Sequence, residues 1–148
     1  MASLTDDVLA GSEWISQALR SSGYLADFSP ASLWSVDRFL DDHAPAGQPR
    51  RGGLLATDVG SRLFSLGAYT GEVLRRNLGG QWQTNDADPE GELNVALTLP
   101  VGDVVFPVQR VMKRFKNGTE DSVAAYGAAL GLVVGPDPKP ARRRRFGR

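Results

Sequence analysis

Residues 67–82 read G-A-Y-T-G-E-V-L-R-R-N-L-G-G-Q-W, and residues 107–122 read P-V-Q-R-V-M-K-R-F-K-N-G-T-E-D-S. Each reads as a helix with a glycine-based stop and adjacent basic residues near its C-terminal end. In the first, Leu63, Phe64, Leu66, Tyr69, Val73 and Leu74 wrap much of the circumference of a helix expected over about 57–78, which makes that helix central. Gly79 and Gly80 end it. Gly67 and Gly71 stand four apart on one face, where each costs up to about 1 kcal/mol against alanine. The compensation expected is close approach by another backbone.

Working outward, the period changes from helical to two after the glycines. Trp82 and Thr84 alternate with Gln81, Gln83 and Asn85, and a D-A-D-P-E-G turn leads into E-L-N-V-A-L-T-L at 92–99. Leu93, Val95, Leu97 and Leu99 would face one way and Glu92, Asn94, Ala96 and Thr98 the other, as in a half-buried antiparallel strand. A P-V-G-D turn returns the chain into V-V-F. Pro107 opens a fourth helix with Val108, Val111, Met112 and Phe115 on its buried face, closed by Asn117 and Gly118. Thr119 is expected to cap a fifth, with Glu120 and Asp121 in its first turn and Val123, Tyr126, Ala129 and Leu130 buried.

Upstream, Thr5 or Asp6 can cap a first helix carrying Val8, Trp14, Ile15, Ala18 and Leu19 and ending at Gly23. Ser29 and Pro30 start a second, with Leu33, Val36, Phe39 and Leu40, to about Asp42. Residues 43–53 have the composition of an exposed, mobile loop. The fold expected is therefore α+β: three helices, a three-stranded antiparallel meander and two more helices over residues 1–134, followed by a flexible basic tail at 135–148.

Composition bounds the function. The chain has 148 residues, 41% hydrophobic and 23% charged, which suits one ordinary domain. It has no cysteine, hence no disulfide, thiolate nucleophile or Cys-based metal site, and this fits a reducing compartment such as the cytoplasm. No apolar run approaches the ~20 residues of a membrane span, and M-A-S-L-T-D-D lacks the order of a signal peptide. The formal net charge of zero hides an asymmetry: residues 1–137 carry 17 acids against 11 basic residues, and residues 138–148 carry six basic residues and no acid. The P-K-P-A-R-R-R-R-F-G-R segment has too little apolar content to pack.

No catalytic set is assembled. His43 follows Asp41 and Asp42, but neighbours on a helix end do not converge on one point, and there is no second histidine. Residues 86–91 copy the first half of a calcium loop, yet the twelfth position is Leu97 where a bidentate glutamate is needed. No catalytic residue, metal or cofactor is expected. Glu72 lies three and four residues before Arg75 and Arg76, a spacing for intrahelical ion pairs of about 0.2–0.5 kcal/mol, or for a polar site beside Gly71. Arg110, Lys113 and Arg114 share one face of the fourth helix, either as a solvated face or as a site for an acidic partner. Arg142, Arg143, Arg144 and Arg145 could grip phosphates or an acidic protein through charge alone.

These two segments resemble an uncharacterised family of small bacterial proteins, mainly actinobacterial, with a G-x-Y-x-G-E-V-x-R-R-x-x-G-G-x-W segment followed by P-x-x-x-V-x-K-R-x-x-N-G-x-x-D-S. The positions that carry the likeness are Gly67, Tyr69, Gly71, Glu72, Arg75, Arg76, Gly79, Gly80 and Trp82, then Pro107, Val111, Lys113, Arg114, Asn117, Gly118, Asp121 and Ser122. The resemblance covers roughly residues 55–132 and implies a fold rather than an activity, because the family is a domain of unknown function. The expectation is a non-enzymatic protein-binding or regulatory module that meets an acidic surface through Glu72, Arg75, Arg76, Arg110, Lys113 and Arg114. The alternatives are a small hydrolase or transferase using Glu72 with arginines as anion clamps, and a nucleic-acid accessory protein acting through the tail.

Overall fold

The computed structural model describes residues 3–138 and has the α+β architecture expected. Five α-helices, α1 (Leu4–Ser21), α2 (Leu33–His43), α3 (Val59–Leu78), α4 (Pro107–Asn117) and α5 (Val123–Ala129), are joined by short turns and one small sheet. The sheet comprises β1 (Gln81–Gln83), β2 (Ala96–Thr98) and β3 (Val104–Val105), antiparallel throughout, in the order β1-β2-β3. Trp82, Leu97 and Val105 stand opposite one another in register and face the helices. Among the described residues, no helix is long and apolar enough to cross a membrane.

The central helix is α3, whose residues from Leu63 to Leu74 are all buried. Its glycine face does what the spacing asks. A Cβ on Gly67 would lie 2.5 Å from the Cα of Val108, so α4 crosses α3 at backbone distance there. Gly71 is filled differently: the Trp82 indole, with Pro107 behind it, occupies the space a side chain would take. One glycine thus admits a helix and the next admits a ring. At the other side of α3 the buried Tyr69 hydroxyl accepts the Phe28 N–H at 3.0 Å and shares a 2.6 Å hydrogen bond with Ser32, docking the chain between α1 and α2.

Several boundaries differ from the sequence expectation, each because a local hydrogen bond overrides periodicity. The cap of α1 is Ser3; Asp6 completes a capping box from the third helical position, and Thr5 bonds Thr84 at 2.9 Å. The strand expected over 92–99 shrinks to Ala96–Thr98. Asp88 accepts from the Glu90 N–H and from the Asn94 amide, each at 2.9 Å, and these bonds hold the preceding residues in turns. Residues Gly118–Asp121 form a separate 3-10 turn, so Ser122, not Thr119, caps α5, and its buried residues are Val123, Ala124 and Gly127 rather than the stripe through Ala129. The 43–53 segment is largely exposed, but the Arg50 N–H closes it onto the His43 carbonyl at 2.7 Å.

Replacing Gly67 with alanine forces α4 away from α3, and the overpacking outweighs the gain in helix propensity. The expected result is a loss of about 1–3 kcal/mol in urea-unfolding free energy at unchanged m-value. A stabilised Gly67→Ala variant would show that the crossing has slack.

Candidate functional site

Two buried carboxylates organise the polar interior. Glu72, in the middle of α3, has no exposed surface. Arg75 grips it with two bonds, Nε to Oε2 at 2.7 Å and Nη2 to Oε1 at 2.9 Å. Arg76 Nε donates to Oε1 at 3.1 Å, and the Trp82 indole N–H donates to Oε2 at 2.8 Å. Arg76 also lies over the Phe28 ring at 3.7 Å and reaches Glu13 on α1 at 3.2 Å. The expected intrahelical pairs are therefore present, but around a buried acid rather than on a solvated surface. Burial alone raises the Glu72 pKa; hydrogen bonds from Arg75, Trp82 and Arg76 outweigh it and hold the carboxyl below its ordinary value.

The second carboxylate, Asp37 on α2, was not singled out from the sequence. It accepts from Arg114 Nε at 2.9 Å, from the Ser122 hydroxyl at 2.7 Å, and from the Val123 and Ala124 N–H groups at 2.8 and 3.0 Å. It thereby caps the start of α5 from a different helix while pairing with α4. Arg114 adds bonds to the Asp37 carbonyl at 3.1 Å and to Asp41 at 2.7 Å. The signal was in the spacing: Leu33, Val36 and Leu40 define a buried stripe, and position 37 lies on it. A cleft of about 310 Å³ runs beside this pair, flanked by Trp34, Arg38 and Thr119.

Arg114 consequently leaves the basic face to which the sequence assigned it. It is 3% exposed, because it follows Val111 by three residues and falls on the same inward side of α4. Arg110 is half-buried, pairs with Asp121 at 3.2 Å and stacks over Tyr126 at 4.4 Å. Lys113 is exposed and makes no ion pair among the described residues. The six expected positions thus divide into a buried acid covered by partly exposed arginines (Glu72, Arg75, Arg76), one buried clasp (Arg114) and an open flank (Arg110, Lys113). Beside that flank, a shallow depression of about 140 Å³ is bordered by Val104, Phe106, Gln109 and Tyr126. Arg142, Arg143, Arg144 and Arg145 lie outside the described residues.

The remaining candidates have structural partners. Asp86 accepts the Leu4 N–H at 2.9 Å, so the loop resembling calcium ligands instead satisfies the first amide of α1. No group of three or more potential metal ligands occurs among the described residues. His43 is buried, stacks on Phe39 with centroids 4.3 Å apart, and faces the Leu54 N–H at 3.4 Å. Burial and then the nearby Arg50 lower its pKa, against a smaller opposing effect of Asp42. With this geometry established, comparison with family models, curated proteins and solved structures gave no match.

Two titrations follow from these environments. The Glu72 carboxyl is more acidic folded than unfolded, so its stabilisation is present above the ordinary carboxylate range and disappears as pH falls through the folded-state pKa. Glu72→Gln should lose about 3 kcal/mol at pH 7, with the gap to wild type narrowing in acid; a gap independent of pH would contradict ionic pairing. His43 is likewise depressed, so the fold is favoured above 6.5 and weakens below it. NMR of this single histidine should give a midpoint below 6.5 in the folded chain.

Proposed function

We propose that this domain is a non-enzymatic protein-binding or regulatory module whose partner presents acidic side chains to the outer flank of α4. The observation that carries the reading is Lys113, an exposed cation without an ion pair among the described residues, beside Arg110 and the exposed apolar side chains of Val104 and Phe106. Cations bordering apolar surface suit a partner that combines carboxylates with apolar residues. The internal chemistry supports the same choice. Glu72 receives four hydrogen bonds and is held ionised, whereas a general acid or base near neutral pH needs an open carboxyl with a raised pKa. Membership of the uncharacterised bacterial family that the two motifs resemble is part of this proposal. So is a cytoplasmic setting, which rests on the cysteine-free sequence.

Affinity capture from bacterial lysate tests the reading, using the full chain, a form ending at Asp137 and Lys113→Glu, at low and high salt. Both wild-type forms should retain the same acidic protein, and Lys113→Glu should lose most of it while keeping its circular dichroism and melting temperature. Capture indifferent to Lys113→Glu removes the α4 flank. Nucleic acid retained only by the full chain, and released by salt, would move the function to the tail.

A further inference from the structure

We infer that β3 is a docking edge, at which an extended acidic segment of a partner protein adds as a fourth strand. The inference rests on the binding reading above and specifies how the partner is held. Strand order places β3 at one end of the sheet. Its register with β2 decides which backbone groups look outward. The Leu99 N–H donates to the directly opposite Asp103 carbonyl at 2.8 Å, so 99 and 103 form a hydrogen-bonded pair. Antiparallel ladders alternate, and therefore Thr98 and Val104, the next pair in register, turn their N–H and C=O groups away from each other. Val104 thus directs both groups to the free edge, and by the same alternation Phe106 directs its N–H there. The Phe106 carbonyl is taken by the first turn of α4, through the Arg110 N–H at 3.1 Å.

The side chains around this edge match an alternating strand. Val105 points into the core, so Val104 and Phe106 lie on the opposite face, 51% and 40% exposed, with Val101 82% exposed in the preceding turn. Natural edges are usually guarded by charge, proline or a covering element. Here the edge is two residues long, with the exposed Asp103 before it and Pro107 just after Phe106, and the basic charge is set back on α4, where Lys113 and Arg110 border the same depression as Val104 and Phe106. Among the described residues the Arg110 Nε is buried without a hydrogen-bond partner, and Nη1 of that guanidinium bonds Asp121. An extended segment alternating β-branched residues with carboxylates would satisfy the outward backbone groups, cover Val104 and Phe106, and bring carboxylates to the two cations. The opposite edge, β1, also has outward backbone groups but presents the exposed amides Gln81 and Gln83 in place of apolar and basic side chains.

Fluorescence anisotropy with the full chain and the labelled peptide Glu-Val-Glu-Val-Glu, acetylated and amidated, tests this. Wild type should bind saturably. N-methylation of both valine nitrogens, which removes main-chain donors and keeps every side chain, should weaken binding about tenfold or more. Val104→Pro should do the same, since proline is tolerated where the N–H lies outside the ladder, and Lys113→Glu should weaken it about fivefold. The N-methylated peptide acts on the unaltered protein, so the test survives even if Val104→Pro folds poorly. Binding that ignores N-methylation and Val104→Pro but is lost in Lys113→Glu overturns strand addition and leaves the α4 flank as the site. No binding of the unmodified peptide overturns the inference outright, while lysate capture judges the wider reading separately.

Discussion

A carboxylate with no exposed surface, set in the central helix, is the constraint on which this fold turns. An ionised acid in an apolar interior is tolerated only when its oxygens are fully hydrogen-bonded. Glu72 meets that demand with donors from its own helix, Arg75 and Arg76, and from the following strand, Trp82. The last of these fixes β1 against α3, and through Trp82, Leu97 and Val105 it fixes the whole sheet. Gly71 belongs to the same device, since any side chain there would collide with the indole that reaches Glu72. The spacing of Gly71, Glu72, Arg75, Arg76, the Gly79–Gly80 turn and Trp82 is the set of parts required for one helix-to-strand clasp.

The second motif builds a matching clasp at the other end of the interior. Arg114 and Ser122 close around the start of α5, with Asp37 supplying the carboxylate from α2. Asp37 links three helices that the hydrophobic effect alone would leave free to slide, because apolar contact has no preferred direction and a four-donor carboxylate does. Arg114 is an interior partner of these acids, whereas Arg75 and Arg76, each more than a third exposed, cover Glu72 from the surface.

This division narrows where recognition can occur. Once the clasps have engaged Glu72, Arg75, Arg76 and Arg114, the basic residues of the two motifs left outside them are Arg110, Lys113 and Lys116, the first two next to the exposed part of β3. The body carries more acid than base, so a partner bearing carboxylates meets general repulsion and local attraction. Such an arrangement favours selectivity over raw affinity, because only a segment placed at that flank escapes the repulsion.

Local periodicity, caps and turns encode the α+β class, the number and order of helices, the three-strand meander and the glycine face of α3. They also locate both motifs that carry the polar clasps. What those motifs do depends on how they pack. Glu72 and Arg114 read from the sequence as surface or partner-facing residues, since spacing places a residue on a helix face but does not say what packs against it. Asp37 was legible only as an acid lying on an apolar stripe, and its partners are 77 to 87 residues away in the chain. Likewise the short length of β2 was set by turn hydrogen bonds at Asp88, and the outward backbone groups of β3 by strand order. Both depend on which segments meet across long separations, and no local pattern encodes that.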